Sequence, residues 1–111
     1  MRIETVTVLG KEYDLAFSNR VLMRLEEKHL DTDTTLGTLT MLSYMMEAGD
    51  WLARHEGRQG KGFVDVDTLA DLLTPADIIA LMRPINAAQA GERNVETVDD
   101  PKNAESTPSA L

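Results

Sequence analysis

Ile3-Glu4-Thr5-Val6-Thr7-Val8-Leu9-Gly10-Lys11-Glu12-Tyr13-Asp14-Leu15-Ala16-Phe17, leading through Ser18 into a helical stretch over residues 19–29, decides the fold. Residues 3–8 alternate apolar and polar side chains, Gly10 stands at a reversal, and residues 11–17 alternate again. That pattern predicts two antiparallel strands. Gly10 takes positive φ without a Cβ clash, as a tight reversal or a bulge after Leu9 requires. Ile3, Val6 and Val8 do not share parity, so a bulge or a late strand start is expected. Tyr13, Leu15 and Phe17 do share parity and are expected to face the core. Ser18 is the expected N-cap, its hydroxyl accepting an orphan backbone N–H. Val21, Leu22, Leu25 and His29 then fall on one helical face, with Met23, Arg24, Glu26 and Glu27 elsewhere. The reading is a one-sided helix packed on a hairpin.

Residues 30–34 form a polar connection in which Asp33 or Thr34 can cap a second helix over residues 35–55. Here Thr40, Ser43, Glu47, Asp50 and Arg54 make one narrow polar stripe. Met41, Tyr44, Met45, Ala48 and Leu52 flank it on one side, and Leu39, Leu42, Met46, Gly49 and Ala53 on the other. Apolar positions cover well over half the circumference, so this helix is either central or partly an interface. Residues 56–62, with three glycines, read as a flexible connector. Phe63, Val64 and Val66 follow and lead into a short helix carrying Leu69, Leu72 and Leu73. Thr74-Pro75-Ala76-Asp77 is a helix start, with Thr capping, Pro in the first turn and Asp at the third position. Ile78, Leu81, Met82 and Ile85 form its inner face, and Pro84 is expected to kink or restart it.

The fold class is therefore α+β, mainly α: an N-terminal β-hairpin packed on a small bundle of about four helices. One domain spans residues 1–90. Residues 91–111, with Pro101, Pro108 and few large apolar side chains, are expected to be a disordered acidic tail.

The 111 residues carry a net charge of −8, with 42% apolar and only 5% aromatic side chains. Residues 1–90 hold 14 acids and 9 bases, and residues 91–111 hold five and two, so body and tail share the acidity. Such a field repels phosphate backbones and argues against nucleic-acid binding. The chain has no cysteine, which excludes disulfides and thiolate zinc sites. It shows neither a signal-peptide layout nor an apolar run of membrane-spanning length, and a cytoplasmic protein without a membrane partner is expected.

Three motifs with chemical potential fail on spacing. Asp31-Thr32-Asp33-Thr34-Thr35 opens like a calcium loop, yet Leu36 replaces the needed Gly and Leu42 the bidentate Glu. Gly57-Arg58-Gln59-Gly60-Lys61-Gly62 is too short for a phosphate loop and has no Ser or Thr after the Lys. His55-Glu56 begins a zinc-protease motif, but Gln59 stands where its second His belongs. His29 and His55 both sit near helix ends, where capping is the ordinary role. No catalytic, metal or cofactor residue is assigned, and no enzyme is expected.

The methionines allow two readings. Met41, Met45 and Met46 cluster with Tyr44 and Trp51. They either fill the core or form an adaptable binding face, since flexible thioethers accommodate varied apolar partners. The candidate partner-binding residues are Met41, Tyr44, Met45, Ala48, Trp51 and Leu52.

With these residues in view, the chain resembles the tail assembly chaperones of long-tailed bacteriophages over roughly residues 3–90. The resemblance lies in residues 8–13, Phe17-Ser18, Leu25-Glu26-Glu27 and residues 74–82. It implies a small, mainly helical protein that binds the tape measure protein, keeps it soluble and promotes polymerisation of the major tail tube protein around it. It also implies a homo-oligomer and no catalytic residues. A small phage or bacterial adaptor docking one folded protein is the alternative. Proteins of the resembled kind often have a longer product made by a minus-one frameshift. Asp100-Pro101-Lys102 is compatible with the slippery codons GAC-CCA-AAA. Leu9-Gly10-Lys11 and Gln59-Gly60-Lys61 are compatible with a similar heptamer, but only the Asp100 site lies beyond the folded body.

Overall fold

The computed structural model describes residues 2–91. The expectations for a disordered tail and for the Asp100 site concern residues beyond Gly91 and lie outside that range.

The hairpin pairs β1 (Ile3–Val8) with β2 (Lys11–Ala16) in an unbroken antiparallel register from Ile3↔Ala16 to Val8↔Lys11. The expected bulge is absent from this ladder. Leu9 (φ 53°) and Gly10 (φ 80°) both take positive φ, which makes the two-residue loop a mirror-image turn matched to strand twist. Only Ile3 and Glu4, both half-buried, blur the alternation of β1. On β2, Tyr13, Asp14, Leu15 and Ala16 are all buried, so that strand is covered on both faces.

The first helix, α1 (Asn19–Glu27), ends two residues before its expected stop. His29 enters the left-handed region (φ 53°), its N–H donating to Glu26 O while the Leu30 N–H donates to Leu25 O. Those two bonds close a Schellman end, so His29 caps through its backbone and its side chain is exposed. Leu22 is also exposed, which leaves Val21 and Leu25 as the buried face. Ser18 is the N-cap, but its hydroxyl makes no capping bond; its carbonyl accepts from Val21 and Leu22 instead.

The second helix, α2 (Thr35–His55), has the predicted bounds, and Thr34 caps it by accepting from the Gly37 N–H at 3.0 Å. It is the central helix. The hairpin and α1 pack on it, and so does α3 (Val66–Leu72), while α4 (Pro75–Ala90) lies against the hairpin. Every residue from Gly37 to Met46 is buried, Thr40 and Ser43 of the polar stripe included, while Glu47 and Asp50 are half-buried and Arg54 is exposed. Thr40 and Ser43 are accommodated because their hydroxyls donate to Leu36 O at 2.6 Å and Val64 O at 2.7 Å. The core therefore joins Leu15, Val21, Leu42, Met45, Met46, Leu69 and Ile85 around α2.

Residues 56–62 are fastened rather than loose. The Arg58 N–H donates to Ala53 O at 2.8 Å, the Gly62 N–H to Asp50 Oδ1 at 3.0 Å, and Lys61 Nζ to Asp14 Oδ1 at 3.0 Å. Two carboxylates, 12 and 47 residues away in the chain, thus hold what composition alone reads as a linker. Asp65 caps α3 by accepting from the Thr68 N–H. Residues 63–65 form no strand. The α4 start is a complete capping box: Thr74 Oγ1 accepts from the Asp77 N–H, and Asp77 Oδ2 accepts from the Thr74 N–H. The helix continues through Pro84 without restarting, and Leu81, Ile85 and Ala88 form its buried face, with Ile78 and Met82 half-buried beside them.

Candidate functional site

Side chains of α1 and α2 diverge to leave a groove of about 480 Å³, lined by Ser18, Arg20, Val21, Arg24, Tyr44, Glu47, Ala48, Trp51 and Leu52. The α2 contribution follows from helical geometry: Tyr44, Ala48 and Leu52 recur every fourth residue, and Trp51 sits one turn on from Ala48 and Glu47. Tyr44 is the buried floor. The Arg24 guanidinium carbon lies 3.6 Å from the Tyr44 ring centroid, and Arg24 Nη1 is 3.2 Å from Glu47 Oε1. The guanidinium is thus held by a ring face and a carboxylate together, which fixes one wall of the groove.

The rim is more open. Trp51 is 56% exposed and stacks on His55, with centroids 4.7 Å apart and planes 10° from parallel. An indole displayed in this way offers a large, stiff apolar surface to whatever enters beside Ala48 and Leu52, both half-buried.

Of the six residues singled out as partner-binding, Tyr44, Ala48, Trp51 and Leu52 come together here. Met41 and Met45 do not. Met41 is 3% exposed, its sulfur accepting from Gln89 Nε2 at 3.3 Å, and Met45 is fully buried. Both fill the core, as does Met46, because α3 and the hairpin close over the first half of α2. The α1 wall was not read from the sequence. Its available signal was Arg20 and Arg24, one helical turn apart and flanking the buried Val21.

The rejected motifs have structural roles. Asp31 accepts from the Asp33 N–H in a turn ahead of α2, and its carbonyl accepts from Thr34. The glycine loop turns its Gly62 N–H onto the Asp50 carboxylate, so an anion already occupies the donor a phosphate would use. Burial disfavours charge on Asp50, but the Arg54 guanidinium and the Gly62 N–H outweigh it and hold the carboxyl below its usual range. Among the described residues, no group of three or more His, Asp or Glu is placed to share a metal ion. No helix among them is long and apolar enough to cross a membrane.

The arrangement is that of a hairpin-and-four-helix domain with an apolar groove between its first two helices. No known protein family, curated protein or solved structure matches the chain.

Proposed function

We propose that this protein is a tail assembly chaperone of a long-tailed bacteriophage, acting in the host cytoplasm. It binds helical segments of the tape measure protein, keeps them soluble and promotes assembly of the tail tube around them. The observation that carries the reading is the groove itself, whose Tyr44, Ala48, Trp51 and Leu52 present an apolar strip at helical spacing beside α1. Such a strip suits the apolar stripe of a client helix. Burial of apolar surface there is worth roughly 25 cal/mol per Å², so each copy contributes modestly and several copies along one client act together. The −8 charge keeps such an array soluble.

Co-expression with a tape measure segment tests the proposal. The segment should become soluble with the wild-type chain, and Trp51→Asp or Ala48→Asp should abolish that effect while leaving the chaperone folded. Substitutions at Met45 are unsuitable, because a charge in its fully buried site unfolds the core. Solubilisation unaffected by either groove variant would remove the groove from the mechanism. One copy bound to one folded protein would favour the adaptor reading instead.

A further inference from the structure

The groove between α1 and α2 carries a sign opposite to that of the molecule. The chain has a net charge of −8, yet the charged side chains lining the groove are Arg20, Arg24 and Glu47, two bases against one acid. The two arginines differ in what holds them. Arg24 is engaged by the Tyr44 ring, 3.6 Å from its centroid, and by the Glu47 carboxylate at 3.2 Å. Arg20 stands one helical turn earlier on the same wall. It is exposed and, among the described residues, forms no ion pair. Ser18 lines that wall too, and its hydroxyl makes no capping bond. The facing wall is apolar, built from Ala48, Trp51 and Leu52. An occupant therefore meets an apolar strip on the α2 side and, on the α1 side, a guanidinium with its donors uncommitted.

A helix laid in the groove sets its apolar stripe against Ala48 and Leu52 and one polar flank beside α1. We propose that the groove selects amphipathic helices carrying Asp or Glu on that flank, with Arg20 as the residue that reads the charge. This rests on the groove being the client site and names which client helices enter it. A carboxylate beside Arg20 gains a charge-assisted pair that the planar guanidinium can make bidentate. A lysine in the same place is repelled. Over the rest of this acidic surface the preference runs the other way, because a net charge of −8 attracts bases. Preference for an acidic helix is thus a property of the groove alone, and it separates seated clients from basic segments drawn loosely to the surface.

The test uses the full chain and two fluorescein-labelled synthetic helical peptides with one leucine stripe. One peptide carries a Glu on each flank of the stripe and the other a Lys, so the direction in which the helix lies does not matter. At physiological salt the Glu peptide should bind the wild-type chain roughly threefold or more tighter than the Lys peptide by fluorescence anisotropy, as when a partly exposed pair replaces a repulsion. Arg20→Glu, at an exposed position, should reverse that order. Trp51→Ala, which changes no charge, should weaken both peptides by a similar factor of about tenfold. Equal affinities, a Lys preference in the wild-type chain, or a Glu preference that survives Arg20→Glu overturns the charge selection while the groove remains the client site. Peptides that fail to bind the wild-type chain, or that bind Trp51→Ala as tightly as wild type, overturn the groove reading itself.

Discussion

Gly49 of α2 and Asp14 of β2 meet so closely that a Cβ on Gly49 would stand 2.0 Å from the Asp14 carbonyl oxygen and 2.9 Å from its Cβ. Neither side can yield cheaply, because one is a strand backbone and the other a helix buried on several sides. Replacing glycine by alanine inside a helix ordinarily gains about 0.5–1 kcal/mol. Here Gly49→Ala is expected to lose about 1–3 kcal/mol, the usual range for overpacking. Urea denaturation measures it, and a variant as stable as wild type would show that helix and strand are not pressed together.

Asp14 is the hub of a second relationship. Its side chain is 6% exposed, and Oδ1 accepts from Thr5 Oγ1 and Lys61 Nζ, both at 3.0 Å. Removing the lysine strands much of a buried carboxylate's hydrogen bonding. Lys61→Met should cost about 1–3 kcal/mol in thermal or urea unfolding. Arg58→Met, which breaks an exposed pair with Glu56 in the same loop, should change stability by less than about 0.5 kcal/mol.

The two hydroxyl side chains expected to cap helices α1 and α4 should respond differently to removal. Thr74→Ala dismantles a complete capping box and should cost about 1 kcal/mol. Ser18 makes no side-chain capping bond, so Ser18→Ala should stay within about 0.5 kcal/mol of wild type. Equal losses at both sites would contradict the cap geometry.

Asp50 gives the chain an acid-dependent contribution to stability. Its carboxyl is held below the ordinary range in the fold, so ionised Asp50 stabilises the folded state above the unfolded pKa of about 3.9. That contribution is lost as pH falls through the lower folded value. The stability difference between wild type and Asp50→Asn should therefore be constant near neutrality and shrink below about pH 4. A difference that does not change down to the acid limit would show that Arg54 and Gly62 leave the carboxyl unperturbed.

Features set by neighbours in the chain were legible in the sequence. The Leu9-Gly10 reversal, the Thr34 cap, the bounds of α2 and the Thr74 capping box all depend on residues within one turn of each other. Exposure was harder. Thr40 and Ser43 look like a solvent stripe, yet one hydroxyl donates to the preceding turn and the other to Val64 O, 21 residues on. Periodicity cannot see such a partner. The connector 56–62 was misread for the same reason, since Asp14 and Asp50 fasten it from distant parts of the chain. Of the candidate face, Tyr44, Ala48, Trp51 and Leu52 line the groove, whereas Met41 and Met45 are buried in the core. Where α3 and the hairpin close over the α2 lane it is core, and beside the short α1 it opens.

Trp51 is the chain's single tryptophan, and it stands at the mouth of the α1–α2 groove with more than half its surface in water. The protein thus has a built-in fluorophore whose emission arises from one place. Any occupant covering the indole replaces water with apolar contact and shifts that emission to shorter wavelength. Occupancy of the groove by a tryptophan-free ligand can then be followed in the unlabelled protein, with no second indole in the chain contributing to the signal.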